Sequence, residues 1–259
     1  MVYSQVIGQS LQHREITAYA NFDFIHKAPT GHTLLIGGTH GDERASVKFL
    51  QNFHKRFLES GQLTNPVCII PLLSPDAYEK NSRYNARGVD INRNFPFKWT
   101  SHSEENPGTA PLSEPESKSI YDFIRNNEPS RIISLHWALS EIDADGKQSF
   151  PLAQKMFSSL SPSERAFFRY KQRDPHTGTS DNPPGSLGSW CGYDLKYNKT
   201  NRPSMVTLEL PYTHKSSENL YPLPEHSVNI MRGIWAKNPE PYTAVIEPMV
   251  HKMLLAASC

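Results

Sequence analysis

The class of this protein is narrowed first by what its sequence has little of. Cysteine is scarce: Cys68, Cys191 and Cys259 are three in 259 residues and lie far apart. An odd count at such spacings makes neither a disulfide framework nor a cysteine metal site, and a reducing compartment is expected. No apolar run is long enough to span a bilayer, so no membrane partner is expected. The opening Met1-Val2-Tyr3-Ser4-Gln5 has neither the basic region nor the apolar core of a secretory leader. The expected location is the cytoplasm. An excess of charge of either sign is also lacking, with 27 basic and 26 acidic side chains and a formal net charge of +1. Bulk electrostatics therefore gives no reason to expect a nucleic-acid partner. Runs of like charge, low-complexity tracts and internal repeats are absent as well.

What is present suits one α/β unit with many ordered loops. Hydrophobic residues are 37% of the chain, lean but sufficient for a core at this length, and prolines number 21. Four short apolar runs read as buried strands: Thr33–Gly37, Pro66–Leu72, Arg131–Leu135 and Ser204–Leu210. Glu15–Phe24 alternates and reads as a strand or hairpin at a sheet edge, after a polar amphipathic lead-in over 1–12. Helical patterns cover roughly 43–59, 114–126, 150–160, 225–235 and 244–257, with a short one at 190–196. Leu73–Ala77 reads as a turn and 172–189 as a loop. Ser113 with Glu116 has the spacing of a capping box, with Pro115 early in the helix where proline is tolerated. Strands alternating with helices predict a single-domain α/β fold over 1–259. Its sheet is mixed and mostly parallel, with helices on both faces.

Three of the buried strands end on polar side chains: His40 with Glu43, His136, and Glu209. In a parallel sheet those ends share one edge, where open α/β sheets place their sites. An imidazole and a carboxylate three residues apart can converge on one point. Zinc takes such nitrogen and oxygen ligands, three from the protein leaving one position for water. Each residue also has an ordinary reading. His40 could be a turn histidine, Glu43 an acid favoured by a helix dipole, and His136 a core histidine satisfied by backbone. A shared crevice explains them together. The long irregular stretch up to Pro111, which holds Arg83 through Pro96, has the polar density of an ordered functional loop.

At these residues the chain resembles a known family. His40-Gly-Asp-Glu43, Gly88-Val-Asp-Ile-Asn92-Arg93-Asn94-Phe95, Ser113-Glu-Pro-Glu116, Ser134-Leu-His136 and Thr207-Leu-Glu209 occur in the order seen in zinc metallocarboxypeptidases, over roughly residues 33–213. The pieces Arg83–Pro96 and Pro184-Gly-Ser-x-Gly-Ser-Trp-Cys191 are most similar to those of the murein peptide amidases within it. The resemblance implies one zinc ion bound by His40, Glu43 and His136, with Glu209 as general base. Arg83 would polarise the scissile carbonyl, Asn92 and Arg93 would grip a free carboxylate, and Asp90 would orient a zinc-binding imidazole. The implied reaction is hydrolysis of an amide beside a free carboxylate, with γ-D-glutamyl–diaminopimelate in murein peptides as substrate during cell-wall recycling. An ordinary carboxypeptidase, an aspartoacylase-like N-acyl amino-acid deacylase and an inactive peptide-binding module stand as alternatives. A small peptide is the expected partner, and a homodimer is left open. One departure stands out: Thr177–Pro184 lacks the substrate-covering tyrosine of digestive members, with Tyr193 and Tyr212 nearby. Arg87, His176 and Trp190 could line the pocket or support it.

Overall fold

A computed structural model of the chain describes residues 1–26, 28–137, 139–173, 183–198, 201–211, 213–216, 219–222 and 240–259. The elements, in chain order, begin with strands β1 (Tyr3–Gln9), β2 (Glu15–Ala20) and β3 (Thr33–Ile36), then helix α1 (Arg44–Phe53), which runs on as a π turn to Leu58. Next come β4 (Val67–Ile70), α2 (Pro75–Glu79), α3 (Pro115–Asn127), β5 (Arg131–Trp137) and β6 (Glu141–Asp145). They are followed by α4 (Phe150–Ser158), α5 (Pro162–Arg165), β7 (Arg169–Arg173) and α6 (Leu187–Ser189), which continues as a π turn over Trp190–Asp194. The chain closes with β8 (Ser204–Leu210), β9 (Thr213–Ser216), β10 (Asn219–Pro222) and α7 (Glu240–Ser258).

Eight strands form one mixed sheet in the order β1-β2-β4-β3-β5-β8-β6-β7, while β9 and β10 pair separately. The four strands expected from their apolar runs are its centre, β4, β3, β5 and β8, and all three contacts among them are parallel. The outer contacts β1–β2, β2–β4 and β8–β6 are antiparallel. No helix among the described residues is long and apolar enough to cross a membrane.

The period-two alternation of the strands builds a core on each face. Leu35, Val67, Ile69 and Ile133 pack under Phe49, Leu50 and Phe53 of α1, Met156 of α4 and Ile246 of α7. Leu34, Ile36, Cys68, Ile70 and Ile132 pack instead under Ile120 and Ile124 of α3 and Leu187 and Trp190. On β5 and β8 the first face stays apolar to the end, through Leu135, Trp137, Leu208 and Leu210. The other face starts with Ile132 and Met205 and then turns polar, with Ser134 and His136 on β5 and Thr207 and Glu209 on β8. The sheet thus carries its site on the α3 side, at the carboxyl ends of its central strands.

Several expectations shift. The lead-in over 1–12 is largely β1, drawn into a hairpin with β2. The turn at 73–77 opens into the short helix α2, with Pro75 at its start. Strand β6, Glu-Ile-Asp-Ala-Asp, gave no strand signal because acidic residues suit strands poorly. It is held by pairing on both sides, to β8 and to β7. The helix expected over 225–235 lies outside the described residues.

Histidine 251 on α7 is buried at 4% exposure, with the rings of Phe53 and Phe57 edge-on at 5.5 and 5.3 Å. Burial pushes its pKa from 6.5 down to about 4, with nearby Arg56 adding to the effect. The Phe49 backbone and Glu247, whose Oε1 lies 3.3 Å from Nε2, favour the proton, but burial outweighs them and the neutral ring is the form that fits. Its contribution is intact above pH 6.5 and is lost as pH falls toward 4. We expect acid titration to destabilise the wild type by up to roughly 3 kcal/mol more than His251→Leu between pH 7 and 4. Urea unfolding of the two proteins across that range measures the difference; parallel curves would refute it.

Candidate active site

Residues Gly37–Glu43 cross from the end of β3 into α1, and backbone bonds hold this crossing against the strand next door. Leu73 and Ser74 donate their N–H groups to the carbonyls of Gly37 and Gly38 at 3.0 and 2.9 Å. Gly41 meets the backbone of α2 so closely that a Cβ there would lie 1.9 Å from the Ala77 carbonyl carbon. Any side chain at 41 would push α2 away and take His40 with it.

Glu43 is the N-cap residue of α1, yet its side chain makes no cap. Its carboxylate turns to the two imidazoles instead, with Oε1 2.8 Å from His40 Nδ1 and Oε2 3.0 Å from His136 Nδ1. The Trp137 N–H also donates to Oε2, at 3.1 Å. One ligand atom from each of His40, Glu43 and His136 lies within 4.8 Å of the others, and all three residues are buried. This is the one such group among the described residues.

Each imidazole is oriented through its second nitrogen. His40 Nε2 lies 3.1 Å from Asp90 Oδ1, and His136 Nε2 lies 3.1 Å from Ser134 Oγ. Both Nδ1 atoms therefore point to one place, the arrangement by which outer partners set a metal-binding histidine. The electrostatics agree. Burial would depress His40, but the carboxylates of Glu43 and Asp90 outweigh it and raise its pKa to about 9. Burial likewise opposes the charge on Glu43, and His40 and His136 hold its pKa well below the usual range. A pocket that retains a proton so firmly has the negative potential a cation needs.

Asp90 also takes two bonds from Arg83, whose Nε and Nη2 donate to Oδ2 at 3.0 and 2.7 Å. Its side chain is 0% exposed, and His40 and Arg83 keep it ionised against the cost of burial. Asp90 thus fixes the imidazole and the guanidinium together. It also receives the Asn92 N–H at 2.8 Å, starting the short 3-10 turn Ile91–Arg93. Asn92 Oδ1 accepts the Leu187 N–H at 2.9 Å. Arg93 Nη1 donates to the Asn92 carbonyl at 2.9 Å, and among the described residues no carboxylate forms an ion pair with it.

Glu209 is the strand partner of His136 on β8. Burial raises its pKa, Glu43 and Glu141 add to the rise and His136 and His40 oppose it, leaving it at about 7. Strand β6 lies antiparallel beside it, with Glu141 opposite Glu209 and Asp143 opposite Thr207. Glu141, Asp143 and Asp145 are all buried on the site's face, a feature missed with the strand that carries it.

The remaining candidates are support rather than lining. Arg87 pairs with Glu114 at 3.1 Å. Trp190 stacks between Phe95 and Tyr121 in the core. Tyr193 stacks on Phe97 in the turn after α6. His176, Tyr212 and Thr177–Asn182 lie outside the described residues. The capping box does not form: Glu114 is the N-cap, without a side-chain cap, and Ser113 and Ser117 turn to Asn94.

Comparison with known proteins agrees with this geometry. The zinc carboxypeptidase family matches residues 1–231. Murein peptide amidase A of Escherichia coli strain K12 is 30% identical over 195 residues, covering 69% of this chain and 70% of the relative. The protein of that name from Vibrio campbellii is 29% identical over 195 residues, covering 69% and 68%. Among solved structures, the murein-tripeptide amidase of Escherichia coli O157 superposes with a TM-score of 0.61 at 22% identity, covering 98% of this chain and 91% of that one. Bovine thrombin-activatable fibrinolysis inhibitor gives 0.66 at 21% identity, covering 99% and 90%. The chain is thus a hydrolase and belongs to the zinc carboxypeptidase family.

Proposed function

We propose that this chain is a one-zinc, single-domain amidase over 1–259 that releases a carboxylate-bearing amino acid from a murein peptide, cutting the γ-D-glutamyl–diaminopimelate bond. The observation that carries the reading is Arg93. Arg93 is half-buried, and burial opposes its charge while Asp90, Glu105 and Glu104 favour it; among the described residues no carboxylate forms an ion pair with it, so its fork suits a ligand's carboxylate. It stands three residues from Asp90, to whose carbonyl its N–H donates and whose carboxylate holds His40 of the trio. A peptide's terminal carboxylate fits its planar fork.

In this reading His40, Glu43 and His136 hold the zinc. When bound, the metal acidifies a water molecule and stabilises negative charge developing on the substrate. Glu209 takes a proton from the attacking water and delivers it to the leaving amine. Arg83, steadied by Asp90, presents Nη1 to the carbonyl oxygen as it gains charge. Asn92 and Arg93 fix the carboxylate so that the amide lies across Glu209. The buried, unpaired thiols of Cys68 and Cys191 support a reducing, cytoplasmic setting for this recycling chemistry.

Zinc-loaded protein should release diaminopimelate from L-Ala-γ-D-Glu-diaminopimelate. An ordinary C-terminal dipeptide and an N-acetyl amino acid should be poor substrates. Preference for either of these would keep the hydrolase and overturn the substrate. Glu209→Gln should lower kcat on the order of 10³-fold with zinc content unchanged. The base must be ionised, so kcat/KM in the wild type should fall on the acid side; burial raises Glu209 to about 7 without the metal, and a bound dication would stabilise its carboxylate and move that limb below this value. A pH profile with no acid limb down to the pH at which zinc is lost would rule out Glu209 as the base. Arg93→Ala should raise KM roughly 30- to 100-fold for the free tripeptide. A substrate amidated at that carboxylate should be little affected, and an equal loss on both would remove Arg93 from the role.

A further inference from the structure

The residue after the Arg93 guanidinium is an asparagine that the catalytic reading does not use. Asn94 is 0% exposed, and its amide is used throughout. Nδ2 lies 2.7 Å from the Pro107 carbonyl, 2.9 Å from that of Ala110 and 3.0 Å from Ser113 Oγ. Oδ1 accepts the Glu114 N–H at 3.1 Å and the Ser117 hydroxyl at 2.6 Å. Its main-chain carbonyl accepts the Leu112 N–H at 2.7 Å. Three stretches of chain, 107–110, 112–114 and residue 117 of α3, are thereby tied to one residue, all but Leu112 through its side chain.

The opposite flank of the same turn is held by backbone. Phe95 donates to the Gly185 carbonyl and Gly185 to that of Phe97, both at 2.8 Å. Gly185 has φ of +69°, and a Cβ on it would lie 2.2 Å from the Arg93 carbonyl oxygen. With Leu187 bonded to Asn92, the turn Ile91–Arg93 is gripped between the start of α3 and the segment 185–187.

We propose that Asn94 is a positioning residue for the carboxylate clamp, locking the Asn92–Arg93 turn to the first turn of α3. The proposal rests on the reading of Asn92 and Arg93 given above. An amide is required because donors are needed on one side and an acceptor on the other. Aspartate would aim an oxygen at the Pro107 and Ala110 carbonyls, and alanine would leave buried groups without partners. Asn94 touches no substrate, so its loss should appear as a misplaced clamp.

The test uses the zinc-loaded full chain with Asn94→Asp and Asn94→Ala, together with Ser113→Ala and Ser117→Ala, which each remove a single partner. Substrates are the free tripeptide and its counterpart amidated at the gripped carboxylate, with Arg93→Ala as reference. For the free tripeptide, KM should rise about tenfold in the Asn94 variants and about two- to threefold in the serine variants, with kcat within about twofold. The amidated substrate should be unaffected. Binding of free diaminopimelate, followed by calorimetry, should weaken by the same factors. Should the Asn94 variants fail to fold, the serine pair decides. Variants with lowered Tm but wild-type KM would show a merely structural role, and equal losses on both substrates would likewise overturn the proposal. If Arg93→Ala discriminates the substrates while the Asn94 and serine variants do not, the proposal fails alone. If Arg93→Ala does not discriminate them, the clamp itself fails and the proposal with it.

Discussion

The arrangement depends on one carboxylate shared between two imidazoles. Glu43 reaches His40 on its own loop and His136 on the neighbouring strand, so a charge from the α1 side of the crossing closes a contact to β5. Burying that charge alone would be costly. It is tolerated because two imidazoles and the Trp137 N–H face it, and because a metal ion can take the place of the protons there. The same demand continues outward. His40 needs Asp90, Asp90 needs Arg83, and the Asp90 backbone starts the turn that carries Asn92 and Arg93. The His40–Glu43–His136 trio, Arg83 and the Asn92–Arg93 turn therefore descend from one buried electrostatic chain.

The sheet sets where that chain can exist. Along β5 and β8 the face under α1, α4 and α7 is apolar to its end, and the α3 face is apolar only at its start. Alternation lets a single strand fill a core with Ile133 and Leu135 and still present His136 to a cleft. A shift of one residue in the β5–β8 register would bury Glu209 against α4 and expose Leu208. The extensive apolar face that prevents this slip is consequently also what keeps Glu209 beside His136.

This division explains what could be read in advance. The central strands were legible because Val, Ile and Leu ran unbroken through them, and the polar residues at their ends stood out against that background. His40, Glu43, His136 and Glu209 could be picked for that reason. Strand β6 could not, since Glu141, Asp143 and Asp145 are what a loop also looks like. Ser113 and Glu116 matched a helix cap by spacing, but buried Asn94 competes for the serine hydroxyl and wins. A local motif is only an offer of hydrogen bonds, and tertiary partners can make a better one.

The segment 80–114 shows why the turn that carries Arg93 is held by asparagines as well as by apolar packing. It has few apolar side chains, so neither a helix nor a sheet ladder satisfies its backbone, and buried N–H and C=O groups must still be paired. Asn85 does this near Arg83, accepting the N–H groups of Arg87 and Val89 and donating to Glu114. Asn94 does it after Arg93, ending on the same Glu114 through its N–H. The two arginines thus stand on separate loops that share one anchor at the start of α3. A hydrogen bond fixes both distance and direction, where an apolar contact fixes mainly distance. Groups that must meet one amide bond within a fraction of an ångström need both. The irregular stretch is ordered by polar bonds together with the buried anchors Ile91 and Phe95.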